Sequence, residues 1–360
     1  MKKVLFTATV DSHIKQFHLP YLKWFKEHGY EVHVATNGNE KIPFCDVKHK
    51  ISFERSPIKI NNLKAIYNLK KIIEREKFDI IHCHTPMGSV VTRLAAIKAR
   101  KKYRTKVIYT AHGFHFFKGA PLINWIVFYP IEFLLSNITD CIITINDEDY
   151  QLAKKNFHAD KIELVYGVGI NEEKFNIEMS KEEEDELKEE LKIKEEDFVI
   201  IYPAELSKRK NQGMLLKAIQ LLKQQGIRNI KVLLPGIDSM NGKYKKMAKK
   251  MKIEEQIIFL GYRKDIPKLM KLSNLAVSTS KQEGLPVNIM EAMFMNLPII
   301  ATNCRGNRDL IKNCLEIDDY KMLAKKIKES MKKYPYKVEY DIDKFKIEKI
   351  LKKVEEIYEE

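Results

Sequence analysis

Short runs of apolar, mostly β-branched residues alternate with longer amphipathic stretches along the chain. Continuous apolar runs of this length are typical of strands buried on both faces, as in a parallel sheet. The longer stretches place apolar residues three and four positions apart, which is the spacing of one helix face. The pattern predicts a first series of strands at Val4–Ala8, Glu31–Thr36, Asp79–His84, Lys106–Thr110, Cys141–Ile145 and Ile162–Val165.

A second series of strands follows later in the chain. The pattern predicts these strands at Phe198–Pro203, Ile230–Leu234, Gln256–Leu260, Leu275–Ser278 and Pro298–Ala301. Helices are predicted between them, beginning near Asn211, Gly242, Ile266 and Pro286. Because the alternation of strand and helix occurs twice, the sequence predicts two doubly wound α/β domains.

The join between the two series lies near residues 167–196. A charge-dense stretch at 180–198 places acidic residues three to four positions from lysines, which predicts a solvated helix. The last segment, 342–360, carries apolar residues on one side and predicts an amphipathic helix. We therefore expect an N-terminal domain at 1–170, joined by the helix at about 342–360, and a C-terminal domain at 171–341.

Composition adds a charge surplus to this picture. Lys and Arg number 64 and Asp and Glu 49 among 360 residues, which gives a net charge of +15. Such a surplus is compatible with nucleic acid, anionic lipid or phosphorylated small molecules as partners. The cysteines are scattered without a C-x-x-C pair, which favours a reducing cytoplasm over a zinc ribbon. Met-Lys-Lys leads directly into a strand pattern, so we expect no secretory signal. The most apolar stretch, 121–135, is interrupted by Asn124, Pro130 and Glu132, so we expect no spanning helix.

The most informative segment covers residues 278–310. A strand pattern ends near its start, Glu283–Pro286 predicts a turn, and a helix is expected directly afterwards. Gly284 lets the backbone approach a ligand closely, and the free amides of the first helical turn favour a phosphate. Glu291, about one turn into the helix, can accept hydrogen bonds from two vicinal hydroxyls, as on a ribose. The segment therefore predicts a site for a phosphorylated ligand.

The pattern E-G-L-P-x-x-x-x-E-A-M, followed by a hydrophobic strand and G-N-R-D-L, resembles the retaining family 4 glycosyltransferases. The resemblance covers nearly the whole chain, including Asp79–His84, Thr110–Gly113 and the segment Glu-Leu-Ser-Lys-Arg-Lys-Asn at 205–211. Residues 112–119, His-Gly-Phe-His-Phe-Phe-Lys-Gly, are most similar to bacterial capsule and exopolysaccharide enzymes. The resemblance implies the GT-B fold, with two Rossmann-like doubly wound domains and the C-terminal helix returning to the N-domain.

The family resemblance also implies a reaction. A sugar would pass from a nucleotide-diphosphate sugar, with UDP preferred, to a glycan or polyprenyl-diphosphate-linked acceptor in cell-surface polysaccharide synthesis. The reaction would retain configuration by front-face departure, with the leaving phosphate as base. The N-terminal domain would hold the acceptor and the C-terminal domain the nucleotide sugar. We expect neither a metal nor a cofactor, because cationic side chains and a helix N-terminus can stabilise the leaving diphosphate.

The resemblance assigns roles to individual residues. It implies catalytic roles for Glu283 at the donor sugar hydroxyls, for Lys210 at the departing diphosphate, and for His112, whose ring or neighbouring backbone faces the reacting sugar. Donor nucleotide binding is implied for Glu291, Gly284, Leu285, Val287, Gly261, Tyr262 and Arg209.

Two loops depart from the family pattern. Glu205 stands where many relatives have an Arg. Either Lys210 therefore carries the phosphate charge alone, or Arg209 or Lys208 compensates. The first loop, residues 9–15, lacks the Gly-Gly pair that many relatives have. The residues that we expect to face the acceptor instead are Ser12, His13 and Lys15.

Other interpretations remain open at this point. A nucleotide-sugar epimerase would share the fold class, and a basic nucleic-acid-binding protein would account for the charge, although no known nucleic-acid-binding motif supports it. A zinc site could be drawn from four histidines, but it needs three or four converging ligands, and we expect core packing and substrate hydrogen bonds instead. These histidines are His82, His84, His112 and His115.

The segment 121–135 carries more apolar surface than one core stripe needs, and basic residues precede it. Aromatic residues at headgroup level with lysines and arginines nearby are typical of membrane contact. The hypothesis is a cytoplasmic enzyme whose N-domain rests on an anionic inner membrane surface; the alternative is an ordinary buried interdomain helix. The residues proposed to form this surface are Trp125, Phe128, Tyr129, Phe133 and Leu134.

Overall fold

A computed structural model of the protein describes residues 1–56 and 59–360, which divide into two compact units. The first unit comprises Met1–Gly169 and Glu348–Glu360, and the second comprises Ile170–Ile347. Each unit is built on one parallel β-sheet whose strands alternate with helices. The prediction of two doubly wound α/β units is therefore confirmed.

The described strands of the first unit form one sheet in which every neighbouring pair is parallel. They are β1 (Lys3–Thr7), β2 (Glu31–Thr36), β3 (Val47–Lys50), β4 (Ile80–His84), β5 (Lys106–Ala111), β6 (Cys141–Thr144) and β7 (Lys161–Leu164). Their spatial order is β3-β2-β1-β4-β5-β6-β7. The direction of winding reverses between β1 and β4, so the carboxyl ends of these two strands form a topological switch point.

The helices of the first unit cover both faces of this sheet. They are α1 (Asp11–Phe17), α2 (Leu19–Glu27), α3 (Asn61–Glu76), α4 (Pro86–Tyr103), α5 (Leu122–Ser136), α6 (Asp147–Asn156) and the C-terminal helix, which spans Ile347–Glu359. The C-terminal helix buries Ile350, Val354, Ile357 and Tyr358 in the same core cluster as residues of β1 and α2. The predicted return of the amphipathic C-terminal helix to the N-terminal unit is thus confirmed.

The second unit repeats the plan with fewer strands. Its described strands are β8 (Phe198–Ile201), β9 (Ile230–Pro235), β10 (Ile257–Gly261), β11 (Leu275–Ser278) and β12 (Ile299–Ala301). They are parallel and lie in the order β10-β9-β8-β11-β12, so the switch point lies between β8 and β11. Its helices are α7 (Lys181–Glu190), α8 (Gln212–Gln224), α9 (Lys243–Lys250), α10 (Ile266–Lys271), α11 (Val287–Phe294), α12 (Asn307–Leu310) and α13 (Tyr320–Lys333). With these assigned, the C-terminal helix of the chain is α14.

The charge-dense stretch forms helix α7 as predicted. The helix begins with a capping box, in which the Ser180 side chain accepts the N–H of Glu183 and the Glu183 carboxylate accepts that of Ser180.

The strand β3 was not predicted. Only one of its four residues is buried, since β3 lies at the sheet edge, and it therefore lacks the apolar run that marks the other strands.

Helix α5 requires a correction to the sequence interpretation. Trp125, Phe128, Tyr129 and Phe133 do not form a free surface, because they are half-buried against the core cluster that contains Phe116. The exposed apolar residues lie on another stripe of the same helix. They are Leu122, Ile123, Ile126 and Leu134, which are between 61% and 80% exposed. Within residues 1–56 and 59–360, no helix has the length and the hydropathy that a membrane crossing requires.

Candidate active site

The loops that follow β8 and β11 meet at the switch point of the second sheet. The loop after β8 carries Arg209 and Lys210, and the loop after β11 carries Glu283. Ligands of parallel α/β sheets bind outside the carboxyl ends of the strands, where the strand order reverses. The topology therefore places these side chains where a ligand of this unit is expected.

Glu283 is the centre of this site. It is 5% exposed, and its Oε1 accepts hydrogen bonds from Lys210 Nζ and from Ser280 Oγ, each at 2.6 Å. Its Oε2 accepts a bond from Arg209 Nη1 at 3.1 Å. Lys210 is 13% exposed and Arg209 46%, so the lysine pair is the better shielded from solvent. One buried carboxylate thus holds two cations beside the switch point of this sheet.

The helix N-terminus predicted beside Glu283 is present. Helix α11 begins at Val287 after Pro286, and among the described residues no side chain caps it. The amides of its first turn therefore have no partner within the helix and carry the positive end of the helix dipole. Gly284 and Leu285 lie in the turn that leads into this terminus.

The loop after β12 contacts the backbone of the turn at residues 283–286. Arg305 is 2% exposed and its Nε donates to the backbone oxygen of Glu283 at 3.1 Å. A Cβ at Gly306, whose φ is +79°, would lie 2.4 Å from the backbone oxygen of Gly284. The close approach of two backbones explains why a glycine stands at 306.

Glu291 and Gly261 occupy different surroundings. Glu291 is half-buried in α11, and burial raises the pKa of its carboxyl to about 7, against a weaker opposing effect of the Lys174 charge. Gly261 ends β10 at the edge of the sheet, with a φ of +64°, and its backbone oxygen accepts the N–H of Gly236 at 2.7 Å. Tyr262 follows it and is 71% exposed.

The basic side chains of the loop after β8 differ in whether they contact Glu283. Lys210 and Arg209 both contact Glu283, whereas Lys208 is exposed. Glu205 is also exposed, and its carboxylate accepts a bond from the hydroxyl of Ser239. Of the alternatives left open by the sequence, the geometry favours Arg209 over Lys208 as the second cation.

In the first unit, His112 lies near the carboxyl ends of β4 and β5. Its Nε2 is 3.3 Å from Nε2 of His13 and 3.5 Å from Nδ1 of His84. Burial lowers the pKa of His112 well below its usual value, and that of His13 to about 4. Ser12 and Lys15 are exposed on α1, and Lys15 pairs with Glu40 at 2.6 Å. Of the three expected acceptor-side residues, the structure thus brings only His13 against His112.

The histidine set considered in the sequence analysis is not brought together as a whole. His82 is bound on both ring nitrogens, to the Tyr358 hydroxyl at 2.7 Å and to the Thr110 hydroxyl at 2.8 Å. His115 stacks on the ring of Phe128 instead. The two remaining members, His84 and His112, are joined by His13 of α1 and by His18, which directly follows α1.

Three residues of these sites were not predicted from the sequence. They are Ser280, Arg305 and His18. Ser280 and Arg305 lie within the segment 278–310. Their positions in the sequence, three before Glu283 and one before Gly306, could have indicated that they belong to the site. His18, five positions after His13, gave no periodic signal of its own.

Comparison with known proteins identifies the family of the chain. The description "Glycosyl transferase 4-like" matches residues 3–146, and "Glycosyl transferases group 1" matches residues 183–343. EpsD of Bacillus subtilis (strain 168), which carries the name of a glycosyltransferase, is 44% identical over 334 residues, covering 91% of this chain and 87% of EpsD. The chain belongs to the family 4 glycosyltransferases. The epimerase and nucleic-acid interpretations are thereby set aside.

Other similar proteins extend this picture. An Escherichia coli enzyme named UDP-Gal:alpha-D-GlcNAc-diphosphoundecaprenol alpha-1,3-galactosyltransferase is 29% identical, over 71% of this chain and 65% of that enzyme. HepE of Anabaena, solved in complex with UDP and glucose, superposes with a TM-score of 0.77 at 18% identity over the full length of both chains. A glycosyltransferase from Rickettsia africae ESF-5 gives 0.79 at 19%, covering 99% of this chain and 98% of that one. These structures agree with the GT-B fold that was predicted.

Proposed function

We propose that this glycosyltransferase moves a hexose from a UDP-sugar to a glycan or polyprenyl-diphosphate-linked acceptor in cell-surface polysaccharide synthesis, with retention of configuration. The observation that carries the proposal is the contact of Lys210 and Arg209 with the buried carboxylate of Glu283, beside the N-terminus of α11. Similarity to EpsD supports the transferase activity, similarity to the Escherichia coli galactosyltransferase, whose name includes a diphosphoundecaprenol-linked sugar, supports the acceptor class, and likeness to HepE supports UDP.

The donor site follows from the chemistry of the leaving group. Breaking the bond between the sugar C1 and the β-phosphate oxygen builds negative charge on the diphosphate. Lys210, Arg209 and the amides of Gly284, Leu285 and Val287 would stabilise that charge; Pro286 has no N–H to contribute. Glu283 would then exchange its bonds to the two cations for bonds from sugar hydroxyls.

The proposed transfer needs no protein nucleophile. The acceptor hydroxyl oxygen forms its bond to C1 on the face from which the diphosphate leaves, and its proton passes to the departing phosphate oxygen. Because the cations and the helix N-terminus would stabilise the negative charge of the diphosphate, we propose that the reaction proceeds without a metal at the donor. His112 would face the reacting sugar through its ring or its neighbouring backbone.

The nucleotide would be held by groups around the same switch point. A carboxylate at Glu291 can accept hydrogen bonds from both ribose hydroxyls. The backbone at Gly261 and Tyr262 would contact the base at the edge of the sheet. On the acceptor side, Ser12, His13 and Lys15 are proposed to line the approach of the acceptor.

A lipid-linked acceptor requires the enzyme to reach a membrane surface. The exposed stripe of α5, formed by Leu122, Ile123, Ile126 and Leu134, has no charged residue of its own and lies four residues after the exposed Lys118. Apolar side chains beside a cation match the interface of an anionic membrane. We therefore propose peripheral binding of a cytoplasmic enzyme through this stripe.

The proposal is tested by nucleoside diphosphate release from a panel of UDP- and GDP-sugars, with and without a lipid-linked acceptor. The expected result is release of UDP from a UDP-hexose that depends on the acceptor, with a product whose anomeric configuration, read by NMR, equals that of the donor. Turnover of GDP-sugars alone, or an inverted product, would contradict the proposal.

A further inference from the structure

Four histidines of the first unit bring one ring nitrogen each to within 4.8 Å of one another. The members of this histidine quartet are His13, His18, His84 and His112. His13 lies in α1, His18 directly follows that helix, His84 ends β4, and His112 follows β5. Three separate segments of the chain thus converge at the switch point of the first sheet.

Two distances within the quartet are close to those of a ligand shell, and all four nitrogens lie within 4.8 Å of one another. His112 Nε2 lies 3.3 Å from His13 Nε2 and 3.5 Å from His84 Nδ1. A ring nitrogen carries either one proton or one lone pair, so His112 Nε2 cannot satisfy both neighbours in a hydrogen-bonded network. Nitrogens placed tetrahedrally around Zn²⁺ at about 2.0–2.1 Å are about 3.4 Å apart, which matches the spacing found.

Unsatisfied nitrogens provide a second, independent observation. His18 is 2% exposed, and neither of its ring nitrogens has a hydrogen-bond partner among the described residues. A buried ring nitrogen without a partner is unfavourable, and an ion that binds one nitrogen of His18 would satisfy that nitrogen.

The chemistry of four imidazole rings suits a cation. A metal ion binds the lone pair of a neutral imidazole nitrogen. An anion such as phosphate would instead need protonated rings.

A second cluster in the same unit shows what a satisfied arrangement looks like. Glu31, His33 and Glu76 also lie within reach of one another. There His33 binds Glu31 at 2.6 Å and His49 at 2.9 Å, and Glu76 binds Lys3 at 2.8 Å. Because its members already have partners, that cluster carries no argument for a metal.

We propose that the quartet binds one divalent transition-metal ion, with Zn²⁺ as the best match for an all-imidazole set. His13, His84 and His112 converge as they stand. His18 stacks on His84 with ring centroids 3.7 Å apart, so it must turn about its side-chain torsions to become the fourth ligand. His13 and His112 are only half-buried, which gives the ion a path to the site.

The donor diphosphate is proposed to need no metal, so the ion of the quartet would have a structural role within the first unit. The ion would tie the α1–α2 segment to the ends of β4 and β5 and so fix helix α1, whose residues are proposed to face the acceptor. With its ring bound to the ion, His112 would face the sugar through its neighbouring backbone. The inference revises the sequence-based expectation of no metal, since the sequence did not show that His13 and His18 meet the other two.

The test measures metal content and spectrum rather than transfer. The full chain is purified without a histidine tag or chelator, its zinc is measured by mass spectrometry, and Co²⁺ is substituted after zinc removal. The expected results are about one Zn²⁺ per chain, an intense visible Co²⁺ spectrum typical of tetrahedral coordination, and a higher thermal midpoint with Zn²⁺ added. His13→Ala/His18→Ala should lose all three, and the milder His13→Gln should weaken them.

Two matched controls are single histidines on the surface of the same unit, changed as His28→Ala and His158→Ala, which should retain the metal. Circular dichroism checks that each variant is folded. The proposal is overturned if the wild-type chain neither contains zinc nor gains thermal stability from it. It is equally overturned if the folded double variant binds as much zinc as the wild type.

Discussion

The Nζ of Lys210 lies 2.6 Å from Oε1 of Glu283, although 73 positions separate the two residues in the chain. The pair joins the loops after β8 and β11, the two strands between which the sheet order reverses. In the free enzyme each charge neutralises the other. A nucleotide sugar carries both a diphosphate for the lysine and hydroxyls for the glutamate, so binding of the donor can replace the ion pair without leaving either charge unpaired.

The backbone contact between Gly306 and Gly284 predicts a selective defect in donor binding. In Gly306→Ala the new Cβ would lie 2.4 Å from the Gly284 oxygen, so the turn before α11 must move. We expect the KM for the donor to rise at least about tenfold, because displacement of a positioning segment by about 1 Å can cost up to about 100-fold. Steady-state kinetics at varied UDP-sugar concentration measures this.

A matched control exists in the same unit. Gly226 also has a positive φ, +86°, but a Cβ there would meet no atom within 4 Å. Gly226→Ala should therefore carry only the backbone strain, about 1–2 kcal/mol of stability, with an unchanged KM. Equal KM changes in the two variants would contradict the role given to the contact.

Glu291 predicts a pH dependence of donor binding. Its usual pKa is 4.5, and burial raises it to about 7, so the group is protonated below about pH 7 and a carboxylate above it. Only the carboxylate accepts hydrogen bonds from both ribose hydroxyls, so the KM for the donor should fall as the pH rises through 7. In Glu291→Gln this step should disappear.

The same shift predicts the sign of a stability effect. Because the folded-state pKa lies above the unfolded value, the contribution of Glu291 to stability is fully present below about pH 4.5 and is lost as the pH rises through about 7. The difference in thermal midpoint between Glu291→Gln and the wild type should thus grow in favour of the variant over this range. If the difference in thermal midpoint stays constant from about pH 5 to about pH 8, burial does not raise the pKa of Glu291.

The buried pair of Arg93 and Glu132 predicts a large stability effect away from the site. The arginine is fully buried, its Nη2 donates to Glu132 Oε2 at 2.7 Å, and its guanidinium lies 4.3 Å from the ring centre of Tyr109. Arg93→Ala would leave a buried carboxylate unpaired and should cost about 3–5 kcal/mol, measured by urea unfolding. The double change Arg93→Met/Glu132→Leu should restore most of that loss. If the double variant is as unstable as Arg93→Ala, the unpaired charge is not the cause.

The exposed stripe of α5 predicts vesicle binding. Leu122 and Ile126 are 80% and 70% exposed, and Leu122→Ser/Ile126→Ser should lower co-sedimentation with anionic vesicles at low salt by at least about tenfold. The matched control changes two exposed apolar residues of α3, Leu63→Ser/Tyr67→Ser, and should leave sedimentation unchanged. Equal pelleting of the wild type with neutral and anionic vesicles would contradict the proposed membrane surface.

The sequence predicted the fold well because most strands are continuous apolar runs. Glu31–Thr36 and Leu275–Ser278 were placed to the residue. Strand β3 was missed because an edge strand needs little apolar sequence. The exposed face of α5 was misassigned because the sequence does not show whether an aromatic residue faces solvent or packs against Phe116. Which residues a helix turns outward depends on its packing partners, which a single sequence does not show.

The candidate site was predictable only in part, for the same reason. The segment around Glu283 stood out through its turn and helix start, and three adjacent cations stood out after β8. That Arg209 rather than Lys208 turns toward Glu283 depends on the loop conformation, in which Asn211 adopts a φ of +56°. The approach of His13 and His18 to His84 depends on where α1 ends, which is a tertiary property.

The central claim is that Lys210 and Glu283 form the donor site, and it is tested most directly by UDP release under saturating acceptor. Lys210→Ala and Glu283→Gln, each shown to be folded by circular dichroism, should lose about 10²–10³-fold in turnover, the usual effect of removing one preorganised electrostatic group. Lys208→Ala, which removes the neighbouring exposed cation, should stay within about twofold of the wild type. Near-wild-type turnover in either of the first two variants would contradict the account.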